Sequence, residues 1–355
     1  MKLKTITANG DPYSIGHTIG KAIAETVHAV TVHVPELAEA ELKWQGADYL
    51  QKLMDAARQS FPEYVRELEG MAEGMDIPFE RAFLWNCRGD LSWPDDISPA
   101  LAADLSEGCT SLIIPGADQK PNVISHNEDG NPEFHGSCFW VKVQPDTGPG
   151  FESFLYPGMI PGHTMGFNDA GIVQAINNIR VHDLKPGIPR HFITRAILSC
   201  KTMDEALNLL NRKDRASGFH HNLGSAKEEL MCSVEAPASN CHVKKVKTTI
   251  SAHANHLISD DLRHMPQSIT SSSTVRQNRA DELLKQEALA NEDPTAILFD
   301  RKPGSEILRA PTSEDDDYGK TLATGIFEMT KQNISVVVHD GPQNKDTYKT
   351  SRALI

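Results

Sequence analysis

The sequence predicts an α+β fold in which two antiparallel sheets stack on each other and helices cover the outside. Three observations carry this prediction. Apolar residues recur at helical spacing over the first part of the chain, strand-like runs begin at Cys109, and the later strands are interrupted twice by helical segments. Helices and strands that are segregated along a chain in this way are typical of layered α+β folds.

The first part of the chain, to about residue 100, is predicted to be mainly helical. Asp11-Pro12 starts a helix, since proline suits the first turn, and apolar residues follow at helical spacing from Ile15 to Val30. Further helices are predicted at 46–59, 63–74 and 79–88. Residues 90–107 mix Pro, Asp and Ser with small apolar residues, so we expect an exposed connector in which a cut would be tolerated.

From Cys109 onward the prediction is mainly strands. Residues 109–115 and 122–127 form a predicted hairpin around Gly116. The other predicted strands are 137–144, 163–168, 171–177, 222–225, 230–235, 241–246, 250–255, 321–328, 334–339 and 347–349. The helices predicted in this part are 190–199, a second that starts at 202–205 and continues over 206–211, and two more at 275–290 and 292–299. We expect a polar linker at 268–274, a solvated strand face at 244–247 and a solvated acidic loop at 314–317.

Composition excludes several classes of protein. The chain has 355 residues and a formal charge of −13, which argues against a nucleic-acid or anionic-membrane partner. No apolar run is long enough to span a bilayer, and the N-terminus lacks the apolar stretch of a signal peptide. Six cysteines without a C-x-x-C pair indicate reduced thiols in a cytoplasmic protein, so we expect no metal site and no cofactor.

The junction Gly108-Cys109 carries the chemistry that the sequence suggests. If the bond between these residues were cut, Cys109 would carry both a thiol and a free α-amine. That amine has a reference pKa of about 7.7–8.0, so it can act as a base near neutral pH. A nucleophile and its base would then sit on one residue. The alternative is a buried structural thiol, which is the commonest role of a cysteine.

Six motifs, in order along nearly the whole chain, resemble those of the penicillin acyltransferase-like family of N-terminal nucleophile (Ntn) hydrolases. These motifs are GDPYSIGHTIG at 10–20, ELEGMAEG at 67–74, GCTS at 108–111, HNED at 126–129, GFNDAG at 166–171 with Asn177, and HANH at 253–256. The resemblance implies a four-layer αββα sandwich and autocatalytic cleavage of an inactive precursor before Cys109. Residues 1–108 would form a helical N-terminal pro-segment and residues 109–355 the catalytic fragment, and the two would stay associated as one compact unit.

The resemblance also implies roles for individual side chains. Asp129 would orient the Cys109 amine or take part in self-cleavage, although it could also be a turn aspartate before Gly130. Asn255 would donate its side-chain N–H groups to an oxyanion. Asn177 would supply a second polar contact at the nucleophile. Asn178 stays open as its alternative, because a slip of one residue reverses the face to which a strand side chain points.

Other residues near these motifs are less defined. Arg276 resembles the family's arginine at a helix start and could bind a substrate carboxylate, or it is a solvated helix residue. Glu128 departs from the family's common tryptophan, so we expect it to alter the substrate pocket. His126 is expected to be a strand residue rather than a base. A metal pair of His253 and His256 is disfavoured, since two residues three apart on a strand face opposite sides.

These observations predict an autoprocessing N-terminal-cysteine amidohydrolase or acyltransferase. It would cleave a linear, non-peptide amide of an N-acyl amino acid or a similar small amide through an acyl-enzyme on Cys109. Three alternatives remain: an acyl-CoA-dependent N-acyltransferase, a conventional cysteine hydrolase that is not cut, and a non-catalytic binding protein that retains the fold. The expected partners are a small amide or acyl thioester and the two fragments themselves, with homo-oligomer formation left open.

Overall fold

Two stacked β-sheets with helices on both outer faces make up the described part of the chain. The architecture is that of a computed structural model, which describes residues 3–91, 108–116, 120–285, 296–310, 319–341 and 345–354. The helices are α1 (Pro12–Val30), α2 (Pro35–Trp44), α3 (Asp48–Ser60), α4 (Pro62–Met75), α5 (Phe79–Cys87), α6 (Arg190–Ile197), α7 (Met203–Leu210) and α8 (Ser271–Leu284). The strands are β1 (Lys4–Gly10), β2 (Gly108–Ile114), β3 (Asn122–Gly130), β4 (Phe139–Pro145), β5 (Phe151–Leu155), β6 (Met165–Asn168), β7 (Ile172–Asn178), β8 (Phe219–Ser225), β9 (Leu230–Ala236), β10 (His242–Lys245), β11 (Ser251–His253), β12 (Lys320–Met329), β13 (Asn333–Asp340) and β14 (Lys345–Ala353).

The order of layers is helix, sheet, sheet, helix. The larger sheet has the strand order β1-β4-β5-β6-β7-β8-β9-β10, and the smaller has the order β11-β2-β3-β12-β13-β14. Strands β2 and β3 pack against β7 and β8 of the other sheet, while α1 lies on β1 and β4, and α8 lies on β11 and β2. The predicted fold class is therefore confirmed. One detail differs, because β1 and β4 run parallel whereas the other described strand pairs are antiparallel.

Glycines bring the backbones of α1 and α4 into direct contact. A Cβ added to Gly16 would lie 1.8 Å from the carbonyl oxygen of Glu67, and one added to Gly70 would lie 2.2 Å from that of Tyr13. The glycines four residues further along each helix are equally confined. The glycine spacing of both sequence motifs is thus explained by two helices that approach more closely than any side chain would allow.

A buried ion pair joins the N-terminal helices to the rest of the molecule. Arg195 of α6 donates from Nη2 to Glu67 Oε2 of α4 at 2.8 Å, and both side chains are buried. Strand β1 makes a second connection, because it pairs with β4 over its whole length. The segment before Cys109 is therefore not purely helical, and it contributes an edge strand to the larger sheet.

Several predicted elements need correction. Helix α2 and strands β1 and β5 were not predicted. The polar linker at 268–274 is wrong from residue 271 onward, because Thr270 caps α8 by accepting a hydrogen bond from Ser273 N–H. Residues 296–299 form a turn rather than the end of a helix. The other predicted helices and strands are present, with ends that differ by a few residues.

Five predictions fall wholly or partly on parts of the chain outside the described residues. These are the connector at 92–107, residues 117–118 of the hairpin turn, the extension of α8 over 286–290, the start of the predicted helix at 292–295 and the acidic loop at 314–317. The connector was expected to be exposed, but its described first residues, Asp90 and Leu91, are fully buried. Among the helices of the described ranges, none combines the length and apolar character needed to cross a membrane.

Candidate active site

The hairpin of β2 and β3 places the residues around the Gly108–Cys109 junction on two different faces of the smaller sheet. Cys109 lies opposite Glu128, and Gly108 lies opposite Asp129. Residues directly opposite each other in an antiparallel ladder share a face, so Cys109 and Glu128 share one face and Asp129 has the other. The Cys109 face is the one that packs on the larger sheet, since Ser111, two residues on, contacts Asn177 of β7.

A buried polar network surrounds the Cys109 thiol. The sulfur lies 3.8 Å from Glu128 Oε2, and the same carboxylate oxygen lies 2.8 Å from His126 Nε2. The hydroxyl group of Tyr156 donates a hydrogen bond to Glu128 Oε1 at 2.5 Å. On the other side of the imidazole, His126 Nδ1 lies 2.7 Å from Ser111 Oγ. All five side chains are buried, so the network is shielded from bulk water.

The environment keeps the thiol of Cys109 protonated in the intact chain. Burial raises the pKa of Cys109 well above its ordinary value, and the negative charges of Glu128 and Asp129 raise it further. A backbone hydrogen bond from Asp129 and the positive charge of Arg276 act in the opposite direction, but their effects are smaller. Because the thiolate is the nucleophile, this cysteine needs a base before it can react.

The backbone of Cys109 is held from the α8 side. Its N–H donates to Asn255 Oδ1 at 2.8 Å, and its carbonyl oxygen accepts from Arg276 Nη1. Arg276, which is almost fully buried, also donates to Asn255 Oδ1 at 2.7 Å and to Thr110 Oγ1 at 2.9 Å. The N–H and the carbonyl group of Cys109 are therefore held in place by Asn255 and Arg276, which are distant from Cys109 in the sequence.

These contacts change the expected roles of Asn255 and Arg276. The amide nitrogen of Asn255 donates to the Asn178 carbonyl oxygen at 2.9 Å, so the oxygen of this side chain, not its N–H₂ group, faces Cys109. In the intact chain the N–H₂ group thus contacts Asn178, and its donation to an oxyanion stays a prediction. Arg276 lies next to Cys109 and is buried, with hydrogen bonds to protein atoms, so it is not a solvated helix residue; its binding of a substrate carboxylate stays a prediction.

The side chains of Asn177 and Asn178 point to opposite faces of β7. Asn177 points between the sheets, where its Oδ1 accepts from Ser111 Oγ at 2.6 Å and its Nδ2 donates to the His253 carbonyl at 2.9 Å. Asn178 points the other way and accepts from Arg190 Nη1 of α6 at 2.9 Å. Asn177 is therefore the residue on the thiol side, and it reaches the network through Ser111.

Asp129 and Gly108 lie together on the α8 side of the sheet. Asp129 Oδ1 accepts from Thr321 Oγ1 of β12 at 2.6 Å. A Cβ added to Gly108 would lie 3.0 Å from Arg276 Nη2 and 3.4 Å from Asn255 Oδ1, so a glycine suits the space between these groups. Asp129 is thus adjacent to the predicted scissile residue, with its carboxylate on the face away from the thiol, and its role in orienting the amine or in self-cleavage stays a prediction.

Sequence reasoning missed the contribution of Ser111, His126 and Tyr156. His126 is a strand residue, as predicted, but it also contacts the carboxylate nearest the nucleophile. The signal was available in part, since alternate residues of a predicted hairpin share a face and 109, 111, 126 and 128 all fall on one. Tyr156 follows β5 of the other sheet, and no local pattern points to it.

Three of these side chains are of types that can also bind a metal ion. In the part of the chain that the structure describes, potential ligand atoms of Cys109, His126 and Glu128 lie within 4.8 Å of one another. Two ligands of a tetrahedral zinc ion at about 2.0 Å lie roughly 3.3 Å apart. The 2.8 Å between His126 and Glu128 is a hydrogen bond and is shorter than this. His253 and His256 contact different partners, Glu235 and Ser273, and do not form a pair.

Comparison with known proteins connects this arrangement to a family. The sequence model described as acyl-coenzyme A:6-aminopenicillanic acid acyl-transferase matches residues 116–343, which begin just after Cys109. The chain is 25% identical over 385 aligned positions to the beta-alanyl-dopamine/carcinine hydrolase of Drosophila melanogaster, covering 96% of this chain and 93% of that protein. It is 24% identical over 274 positions to the 40 kDa form of the acyl-coenzyme A:6-aminopenicillanic-acid-acyltransferase of Emericella nidulans, covering 74% of this chain and 70% of that protein.

A solved structure is also similar. It is that of penicillin V acylase from Agrobacterium tumefaciens, with 13% sequence identity and a TM-score of 0.37. The similarity covers 65% of this chain and 86% of that one.

Proposed function

We propose that the chain, which belongs to the acyl-coenzyme A:6-aminopenicillanic acid acyl-transferase family, is an autoprocessed cysteine amidohydrolase. Its relatives include one protein named as a hydrolase and one named as an acyltransferase. Cys109 is the proposed nucleophile, and the Gly108–Cys109 bond is the proposed site of self-cleavage. The observation that carries this proposal is the set of groups around Cys109. Its thiol lies beside a buried carboxylate, and its nitrogen and carbonyl are held by Asn255 and Arg276.

The proposed reaction uses the two ends of the same residue. After cleavage, the nitrogen of Cys109 is an amine that stays within reach of Asn255 Oδ1, which already accepts its hydrogen in the intact chain. The amine takes the thiol proton as the sulfur attacks the substrate carbonyl, and it returns that proton to the leaving amine. Water then hydrolyses the thioester. Asp129, next to Gly108 in the ladder, supports the developing charge on the new amine from the α8 side.

A linear amide of a small acyl group is the proposed substrate class, and an N-acyl amino acid is one form of it. The relative that covers nearly all of the chain is named as a hydrolase of beta-alanyl-dopamine and carcinine, which favours hydrolysis over transfer. Acyl transfer from a thioester to an amine is the second candidate, and the relative named as an acyltransferase supports it. Both use the same acyl-enzyme, so they differ only in what accepts the acyl group.

Self-cleavage is tested by denaturing electrophoresis of the purified full chain. The wild type is expected to give two fragments, residues 1–108 and 109–355, with Cys109 as the first residue of the larger one. Cys109→Ala is expected to remain one intact chain with no activity. Cys138→Ala is the matched control, because Cys138 is an equally buried thiol that contacts the Phe134 carbonyl and should leave cleavage unchanged.

The outcome distinguishes the alternatives. An intact wild-type chain that lacks activity would support a binding protein that retains the fold. An intact wild-type chain whose activity is lost in Cys109→Ala would support a cysteine hydrolase that is not cut. The substrate class is tested by incubating the mature enzyme with N-acyl amino acids, beta-alanyl-dopamine and acyl thioesters, with and without an acceptor amine.

A further inference from the structure

The side chains behind the Cys109 thiol form an unbroken chain of contacts. It runs from Cys109 Sγ to Glu128 Oε2 (3.8 Å), from there to His126 Nε2 (2.8 Å), from His126 Nδ1 to Ser111 Oγ (2.7 Å), and from Ser111 Oγ to Asn177 Oδ1 (2.6 Å). All five side chains are buried. The direction of each hydrogen bond can be worked out from the chemistry of its two ends.

The Asn177 end fixes the direction. Asn177 Nδ2 donates to the His253 carbonyl at 2.9 Å, so its Oδ1 must be the atom that faces Ser111. An amide oxygen only accepts, and therefore the single hydroxyl proton of Ser111 points to Asn177. Ser111 Oγ must then accept from His126, which places a proton on His126 Nδ1.

The other side of the imidazole follows from this assignment. His126 Nε2 and Glu128 Oε2 lie 2.8 Å apart, and two lone pairs at that distance would repel each other. One proton must therefore lie between them, shared as an imidazolium–carboxylate pair or as a neutral imidazole and a carboxylic acid. Either form has no net charge, and either can take one more proton on the carboxylate side.

We propose that Glu128, oriented by His126, is the base that removes the Cys109 thiol proton during self-cleavage, before the α-amine exists. This inference rests on the proposed function. In the intact chain the Cys109 nitrogen is part of a peptide bond and donates its hydrogen to Asn255, so it has no lone pair to offer. Asp129 does not replace Glu128, because its side chain is on the opposite face and accepts from Thr321.

The step balances within these groups. The thiol proton moves to Glu128 Oε2 and the shared proton moves fully to His126 Nε2, so a thiolate forms beside a pair with one positive charge. The sulfur bonds to the Gly108 carbonyl carbon, and the bond from that carbon to the Cys109 nitrogen breaks. The nitrogen takes the proton back from Glu128 and becomes the α-amine. Water then hydrolyses the thioester and leaves the Gly108 carboxylate.

The test measures the rate at which the purified full chain cleaves itself. Glu128→Gln keeps the shape of the side chain but cannot accept the proton in this way, and loss of a positioned base lowers such rates roughly 10²–10⁴-fold. Glu152→Gln is the matched control. Glu152 is a buried glutamate of β5, in the sheet opposite to that of Cys109, and its carboxylate accepts from Trp140 and Tyr348, so its variant should cleave at the wild-type rate.

Chemical rescue separates a base from a structural role. Formate should accelerate self-cleavage of Glu128→Ala, in which a small carboxylate can fill the space, but not of Glu128→Gln, in which the space is occupied. Imidazole should accelerate His126→Ala in the same manner, as expected for a positioning residue. Chloride at the same concentration is the control for ionic strength.

The possible results are distinct. If Glu128→Gln matures at the wild-type rate while Cys109→Ala stays intact, the inference about Glu128 is wrong and the proposed function stands. Suppose that Glu128→Gln cleaves slowly, but formate does not restore Glu128→Ala and imidazole does not restore His126→Ala. Glu128 and His126 then have only a structural role, and the inference is also wrong. If the wild type itself never matures, it is the proposed function that fails.

Discussion

Removing the buried ion pair between Glu67 and Arg195 is expected to destabilise the protein strongly. The pair connects α4, which precedes the proposed cleavage site, with α6, which follows it. Arg195 makes three hydrogen bonds of 2.8–3.1 Å to the Glu67 carboxylate, and the two side chains are only 3% and 1% exposed. The guanidinium also lies 4.6 Å from the ring centre of Tyr64 and 4.3 Å from that of Phe151.

The size of the effect follows from the burial of the pair. Glu67→Gln keeps the size of the side chain but leaves the Arg195 charge without its counter-charge in a site that water does not reach. Breaking one side of such a pair costs about 3–5 kcal/mol of unfolding free energy. In Glu67→Gln/Arg195→Met the lone charge is gone as well, so the double variant should recover part of that loss. We expect a coupling of at least about 1 kcal/mol between the two positions.

The measurement is urea unfolding in a Cys109→Ala background, which keeps the chain intact so that fragment dissociation does not add to unfolding. Glu69→Gln is the matched control, because Glu69 pairs with Arg66 on the solvent side of the same helix, where ion pairs contribute little. The control should leave the unfolding midpoint nearly unchanged. If Glu67→Gln shifts the midpoint no more than Glu69→Gln does, the reasoning from burial is refuted.

Two further predictions concern stability. Gly20→Ala would place a methyl group 2.2 Å from the Met71 carbonyl oxygen, so it should destabilise by about 1–3 kcal/mol, while Lys21→Ala on the exposed side of α1 should not; both are checked by thermal unfolding. Burial, assisted by the charge of Arg88, lowers the pKa of His163 to about 3, below its unfolded value near 6.5. In this range the unfolded state binds a proton that the native state does not bind, so the unfolding free energy should fall as the pH drops from about 6.5 towards 3. The unfolding free energy measured across this range should fall less steeply in His163→Gln, and an unchanged slope would contradict the assignment.

A long element with a regularly repeating apolar pattern is easily predicted from the sequence. Helix α1 buries Ile15, Ile19, Ile23 and Val27 at helical spacing, and that spacing is visible in the sequence. Strand β5 has only five residues and is buried along its whole length, so it shows neither a long pattern nor a polar alternation. Helix α8 was predicted, but its start was placed four residues too late for a different reason. Its buried face includes Ser273 and Arg276, which serve the site rather than the core, and a polar start of this kind is easily taken for a linker.

The candidate site likewise contains some residues that the sequence identifies and others whose roles only the structure shows. Cys109 and Asp129 could be selected because they lie in short motifs around a glycine. The face of each hairpin residue could have been derived from strand alternation once the register was known. The orientation of Asn255 could not, because it depends on where the Asn178 carbonyl and the Cys109 N–H meet in space. The choice between Asn177 and Asn178 likewise needed the pairing of β7 with its neighbours.

The sequence by itself determined the layered α+β class, the apolar spacing of α1 and the Gly108–Cys109 junction as the place to look. These features are local, since each depends on residue type and spacing within a few turns or strands. Only the tertiary structure decided that the thiol faces Glu128 and His126 while Asp129 faces α8. That decision needs two strands in register, a second sheet that supplies Asn177 and Tyr156, and a helix that brings Arg276 across the sheet. Contacts between groups more than a hundred residues apart are set by packing, and no local pattern records them.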